Sequence, residues 1–178
     1  MTAEPGRSVF LIGPMGSGKT AVGRQLARRL GYAFVDSDAE IEARTGVDIP
    51  FIFEKEGEAG FRAREREIIE ELSHRPGIVL GTGGGAILAA DNRERLAARG
   101  VVVYLETSVR QQLLRTSRSR NRPLLFAEDP RGKLEELMVV RGPLYQSIAM
   151  VTVSTDGRKV AAVADEIADR LRERGLNC

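Results

Sequence analysis

The feature that most constrains this chain is Gly13-Pro-Met-Gly-Ser-Gly18-Lys19-Thr20, placed directly after a short apolar run and directly before a helical pattern. The run Ser8-Val-Phe-Leu-Ile12 is rich in β-formers and stops at a glycine, so it reads as a buried strand. From Gly16 to Leu30, the residues Val22, Leu26, Ala27 and Leu30 recur at helical spacing, and Gly31 supplies the stop. Strand, loop and helix in that order, with the pattern G-x-x-x-x-G-K-[ST], make a phosphate-binding loop. Its glycines allow several backbone N–H groups to turn toward one anion, which the helix N-terminus also attracts. Gly16, Ser17, Gly18 and Ala21 are expected along the polyphosphate of ATP. Lys19 adds a point charge at the β- and γ-phosphates, and the Thr20 hydroxyl is a ligand for Mg2+. A glycine turn that merely caps a helix is the alternative, and the complete motif in its required setting weighs against it.

The rest of the chain repeats the alternation. Ala33–Asp36, Ile78–Leu80, Val101–Leu105 and Ala149–Val153 read as four further strands, continuous in apolar character and so expected to be covered on both faces. Helical patterns separate them: Phe61, Ile68, Ile69 and Leu72 share one side of a helix, Leu134, Leu137 and Met138 share another, and Val160 to Leu171 forms the last. Alternating strand and helix predict an α/β fold with a parallel sheet and right-handed crossovers. With 178 residues and neither a linker nor a repeat, residues 1–178 are expected to form one domain.

Composition excludes several classes. A net charge of +2 is too small to argue for a nucleic-acid partner. The single cysteine, Cys178, cannot form an intrachain disulfide, and an intracellular, cytoplasmic setting follows as the expectation. With one histidine, His74, beside that cysteine, neither a zinc site nor a Cys–His catalytic pair fits, and a metal bound through oxygen favours magnesium. No stretch approaches a membrane span, and the first seven residues read as a frayed terminus rather than a signal peptide.

Several residues stand out as candidates for chemistry. Asp36-Ser-Asp38 closes the second strand. In an extended backbone both carboxylates would face one space beyond the strand end, where ligands of open parallel sheets collect. Asp36 could then serve magnesium while Asp38 accepts from substrate hydroxyls or takes a proton; Asp38 is equally suited to cap the helix containing Ile41. Arg62 stands at the start of a helix reaching from about Phe61 to Leu72. There it opposes the helix dipole at a cost of about 0.3–1 kcal/mol, which Glu65 three residues on could offset. Gly81-Thr-Gly83-Gly84-Gly85 carries more glycine than a plain turn needs, as though the backbone must approach a ligand and offer bare N–H groups. Arg115, Arg118, Arg120 and Arg122 crowd a polar segment that ends at Pro123 and could fold over a polyphosphate. Without interleaved aromatics it makes a poor nucleic-acid patch, and a merely solvated loop is the lesser alternative. Arg141, near an expected helix end, could join Arg62 in gripping a carboxylate by forked hydrogen bonds.

Taken together, the phosphate loop, Asp36-Ser-Asp38, the stretch Ile52-Phe53…Gly57-Glu58…Phe61-Arg62…Glu65, the triple glycine, Arg122-Pro-Leu-Leu125 and Arg141-Gly-Pro-Leu-Tyr145 resemble the shikimate kinases over nearly the whole chain. The resemblance implies a P-loop NTPase fold of nucleoside-monophosphate-kinase type. It has a five-stranded parallel sheet of order 2-3-1-4-5 flanked by helices, a substrate-binding helical region at about residues 38–74 and a lid at about 115–127. It implies a cytoplasmic, monomeric enzyme of aromatic amino-acid biosynthesis that transfers the γ-phosphate of ATP to the 3-hydroxyl of shikimate, with Mg2+. Carried over by residue, Thr20 and Asp36 serve the metal, and Lys19, Asp38 and Arg122 are catalytic. Asp38, Arg62, Gly83, Gly84, Gly85 and Arg141 hold shikimate; Arg115 stacks on adenine and Arg158 flanks its other face. Val160 stands where some members have a proline, which departs from the pattern beside the base. Gluconate kinase, a nucleotide kinase and a non-catalytic nucleotide-binding module are the competing readings.

Overall fold

The structure is a computed structural model that describes residues 6–117 and 128–176. Five strands, β1 (Val9–Ile12), β2 (Ala33–Asp36), β3 (Ile78–Gly81), β4 (Val101–Glu106) and β5 (Val151–Ser154), form one parallel sheet in the order β2-β3-β1-β4-β5, as the resemblance implies. Around it lie α1 (Lys19–Leu30), α2 (Ser37–Thr45), α3 (Ile49–Leu72), α4 (Ala90–Arg99), α5 (Val109–Thr116), α6 (Pro130–Ile148) and α7 (Val160–Glu173), with a short 3-10 turn at Ala86–Leu88.

Strand period and sheet position explain the two-sided core. Val9 and Leu11 of β1 point to one face, where they meet Val22 and Leu26 of α1 and Val163, Ile167 and Leu171 of α7. Phe10 and Ile12 point to the other, against Ile69 and Leu72 of α3, Leu96 of α4 and Tyr145 of α6. All residues of β1 and β3 are buried, and so are all of β4 but Glu106. The expectation of double coverage fails at the edges: β5 alternates buried and exposed, and β2 is only partly covered, because an edge strand has a neighbour on one side alone.

Two helices differ from the expected boundaries in ways that matter for the site. The helix carrying Arg62 begins at Ile49, capped by the Asp48 carboxylate, and runs to Leu72 with a break at Gly57 (φ 71°, ψ −178°). The break divides α3 into two helical segments, so Arg62 lies near the start of the second, close to its expected place. Helix α6 passes through Pro143 and ends at Ile148, so Arg141 is interior to that helix. The proline forfeits one backbone bond, but Tyr145, at 1% exposure, anchors the following turn in the core.

Candidate active site

The phosphate loop joins β1 to α1 with Gly13, Gly16 and Gly18 all at positive φ (151°, 78° and 86°). Gly18 in the left-handed region is the N-cap of α1, so the helix opens at Lys19 with its free N–H groups facing the loop. Lys19 Nζ donates to the Gly13 carbonyl (2.6 Å), the Pro14 carbonyl (2.8 Å) and Ser17 Oγ (3.2 Å), which holds the ammonium across the loop. Thr20 Oγ1 donates to Asp36 Oδ2 at 3.1 Å. Their oxygens come from different elements to one point at the end of the loop, a pair that fits a magnesium ion whose other ligands are water and phosphate. Among the described residues no group of three His, Cys, Asp or Glu side chains could enclose an ion without such help.

Asp36 ends the extended strand β2, but the extended backbone does not continue to Asp38. Helix α2 begins at Ser37, and Asp36 is its N-cap, its Oδ1 accepting from the Ala39 N–H at 3.0 Å. The capping role thus belongs to Asp36, which leaves Asp38 in the first turn with its carboxylate turned inward. Its Oδ1 lies 2.8 Å from the position a Cβ on Gly83 would occupy, and Glu65 Oε2 lies 2.9 Å from the same point. Burial, then repulsion from Glu65 and Asp36, pushes the Asp38 carboxyl up to about 7 against the pull of Lys19 and Arg62.

The glycines after β3 are needed for close approach. A Cβ on Gly85 would fall 2.2 Å from Arg62 Nη2, so the guanidinium lies flat against bare backbone. Gly84 is wedged between the phosphate loop and α6: its Cβ would sit 3.4 Å from Met15 N and 3.7 Å from Arg141 Nη1. Arg62 Nη1 donates to Glu65 Oε1 at 2.8 Å, and the Glu65 side chain is 1% exposed. Burial still pushes the Glu65 carboxyl above its ordinary range, with Arg62 and Arg141 pulling it back.

These elements enclose a cavity of about 750 Å³ that runs from Gly16, Gly18, Lys19, Thr20 and Ala21 to Arg62, Gly83, Gly84, Gly85 and Arg141. Four buried polar atoms beside it lack a hydrogen-bond partner: Asp38 Oδ1, Glu65 Oε2, Arg62 Nε and Arg141 Nε. Arg62 Nε reaches Glu58 only as an ion pair at 3.5 Å. Such groups are costly unless something binds them.

At the opposite end Arg115 is not in a loop. It lies in the last turn of α5 and donates to the Gly16 carbonyl (2.9 Å) and the Thr155 carbonyl (3.0 Å), tying the phosphate loop to the turn after β5. Arg158, expected to flank adenine, donates to the Ser154 carbonyl at 3.1 Å and pairs with Glu166 of α7 at 2.5 Å; it is not among the residues that line this cavity. Arg122, with Arg118 and Arg120, lies outside the described residues, as does the expected lid beyond Ser117.

Sequence reasoning missed part of the lining. Glu65 stood out only as a counter-ion to Arg62, yet its second oxygen faces the cavity wall. Lys133 and Leu137 line the cavity with Arg141, at successive four-residue steps of α6. That spacing was available, but Lys133 looks like any charge on a solvated helix face. Phe53 and Phe61, with ring centroids 4.9 Å apart, add an apolar wall.

Comparison with known proteins agrees with this geometry. Residues 15–172 match the family model described as shikimate kinase. A shikimate kinase of Methylococcus capsulatus is 56% identical over 169 residues, covering 95% of this chain and 94% of its own length. The structure of a shikimate kinase from Acinetobacter baumannii in complex with shikimate superposes with a TM-score of 0.94 at 51% identity, covering 97% of each chain. A gluconokinase from Sinorhizobium meliloti shares the fold alone, with a TM-score of 0.58 at 19% identity. A phosphate loop that opens into a walled, polar cavity, and a likeness that spans nearly every residue of both, lead to one assignment: the chain belongs to the shikimate kinase family.

Proposed function

We propose that the enzyme transfers the γ-phosphoryl of ATP to the 3-hydroxyl of shikimate, giving shikimate 3-phosphate and ADP. The observation that carries this reading is that unpartnered buried atoms of Arg62, Glu65 and Arg141 border the cavity into which the phosphate loop opens, with the unpartnered Asp38 Oδ1 near Glu65 Oε2 at Gly83. An acceptor that satisfies them must present an anionic group to Arg62 and Arg141 and hydroxyls to Asp38. A cyclic hydroxylated acid does both, and the Acinetobacter baumannii relative is a complex with shikimate.

In this reading the Gly16–Ala21 backbone and Lys19 cradle the phosphates, with Lys19 exchanging its carbonyl partners for phosphate oxygens. Thr20 and Asp36 hold Mg2+, which supplies charge neutralisation of the phosphates when bound. Arg62, clamped by Glu65 and pressed on Gly85, and Arg141, beside Gly84, fix the carboxylate by planar, forked donors. That anchors the ring, so its hydroxyl meets the γ-phosphorus in line, an entropic contribution to rate. A bond forms from the acceptor oxygen to the γ-phosphorus and the bond to the bridging oxygen breaks. Asp38, as the carboxylate, orients the hydroxyl and accepts its proton; the transition state is loose, and its demand for early deprotonation small. Arg115 borders the nucleotide end through Gly16. We further place the enzyme in the cytoplasm as a monomer; among the described residues no helix is long and apolar enough to cross a membrane.

An ADP-release assay with shikimate, gluconate and nucleoside monophosphates as acceptors tests the reading. Turnover with shikimate alone is the expected result. Turnover with gluconate but not shikimate overturns it, and no turnover with any acceptor favours a nucleotide-binding module.

A further inference from the structure

Tyr145 is buried in α6 at 1% exposure, and it does not line the cavity, yet its hydroxyl donates to the Gly84 carbonyl at 2.5 Å. Its ring stacks on Tyr104 of β4, centroids 5.1 Å apart and planes 22° apart, so the hydroxyl has little freedom to leave. Burial raises the phenol above its ordinary value, and it remains a donor at any working pH.

The partner it has chosen is unusual in position. Gly84 is the residue between the two halves of the site, bordered by Met15 of the phosphate loop on one side and Arg141 on the other. Without a side chain, and followed by a second glycine, its peptide has few local restraints on rotation. In a trans peptide the carbonyl and the next N–H point in opposite directions. Fixing the Gly84 carbonyl toward Tyr145 therefore turns the Gly85 N–H away from the core side of the loop. The same helix carries Arg141 one turn earlier, so one rigid element sets both a guanidinium and the backbone beside it.

We infer that Tyr145 is a positioning residue for the acceptor: its hydroxyl locks the Gly84–Gly85 peptide as the shared wall between the nucleotide and acceptor subsites. This rests on the acceptor reading above. Replacing it with phenylalanine keeps the ring stack and removes the hydroxyl alone, which leaves the part-buried Gly84 carbonyl without its donor and Arg141 without its contact to the phenol oxygen.

The test compares Tyr145→Phe with Tyr104→Phe, which removes the other hydroxyl of the same ring stack. Steady-state kinetics with shikimate and ATP, calorimetric ATP binding and melting temperature are measured for both variants and the parent. In Tyr145→Phe, KM for shikimate rises about tenfold or more, while ATP affinity stays within about twofold of the parent. In Tyr104→Phe both stay near the parent values. A shikimate KM in Tyr145→Phe within about twofold of the parent overturns the inference. So does an equal rise in Tyr104→Phe, or a Tyr145→Phe protein that fails to fold or to bind ATP, since the hydroxyl would then serve general stability. Failure of the parent to use shikimate would sink the acceptor reading instead, and is read from the parent alone.

Discussion

Asp38 shows how burial turns an ordinary side chain into a tuned one. With its carboxyl raised to about 7, the acceptor-free enzyme is divided between its two protonation states near neutrality. Only the carboxylate can take the proton of a substrate hydroxyl, so kcat/KM for shikimate is expected to climb with pH and level off above about 7. The stability consequence has the opposite sense. Between the ordinary value of 3.8 and about 7 the folded state binds more protons than the unfolded one. The native carboxyl's contribution is therefore full below about 4 and is lost as pH rises through about 7. Asp38→Asn should remove both trends: the melting temperature of the variant relative to the parent rises between pH 5 and 8, and a difference that stays flat would refute the raised carboxyl. Gly85→Ala separates folding from binding at the same scale. The new methyl meets Arg62 Nη2 at 2.2 Å, the far end of a flexible side chain, so the fold can give way by moving the guanidinium. Melting should change little while kcat/KM for shikimate falls roughly tenfold or more, each tenfold being about 1.4 kcal/mol. A normal kcat/KM in a folded variant would show that Arg62 does not need its seat on Gly85.

At the scale of elements, the break in α3 decides where the acceptor wall stands. Gly57 adopts a backbone conformation open almost solely to glycine, and nothing lies within 4 Å of where its Cβ would be. The break is thus conformational and owes nothing to crowding. It lets residues 49–56 turn so that Ile49 and Phe53 face the cavity, with Phe53 meeting Phe61 of the following segment. Arg64 closes the angle from outside by donating to both Glu56 oxygens at 2.9 and 2.6 Å, a role beyond the solvated charge its sequence setting suggests. Gly57→Ala is expected to cost about 1–3 kcal/mol, partly recovered if the segment straightens. Straightening would carry Phe53 off the cavity, so KM for shikimate should rise while KM for ATP holds. Equal changes in both constants would count against a local effect. Helix α6 makes the complementary wall, and its continuity through Pro143 places Lys133, Leu137, Arg141 and Tyr145 on one line.

For the whole molecule, the arrangement predicts two separable sources of ligand stabilisation. The phosphate loop belongs to the β1–α1 unit at the centre of the sheet, whereas Arg62 and Arg141 hang from α3 and α6 on one face. ATP with magnesium at roughly a hundred times its Kd should stabilise the native state by about 2.7 kcal/mol, a shift of several degrees in melting temperature. Shikimate should add its own shift. The double variant Arg62→Ala, Arg141→Ala should keep the nucleotide shift and lose the acceptor shift; loss of both together would mean the two arginines support the whole cleft. With no tryptophan in the chain, scattering-free calorimetry or a dye reports this better than intrinsic fluorescence.

Local signals carried much of this protein. The phosphate loop, the alternation of strands and helices and the i,i+3 spacing of Arg62 and Glu65 are written in neighbouring residues, and the strand order followed from the family resemblance those motifs support, which is also the source of the proposed acceptor residues. What no local pattern could supply was the meeting of distant backbones. Asp36 rather than Asp38 caps α2; Arg158 pairs with Glu166; and Tyr145 finds the Gly84 carbonyl 61 residues away. Each is a choice among competing partners of similar chemistry, and such choices depend on which atoms the packed sheet and helices bring within hydrogen-bond reach.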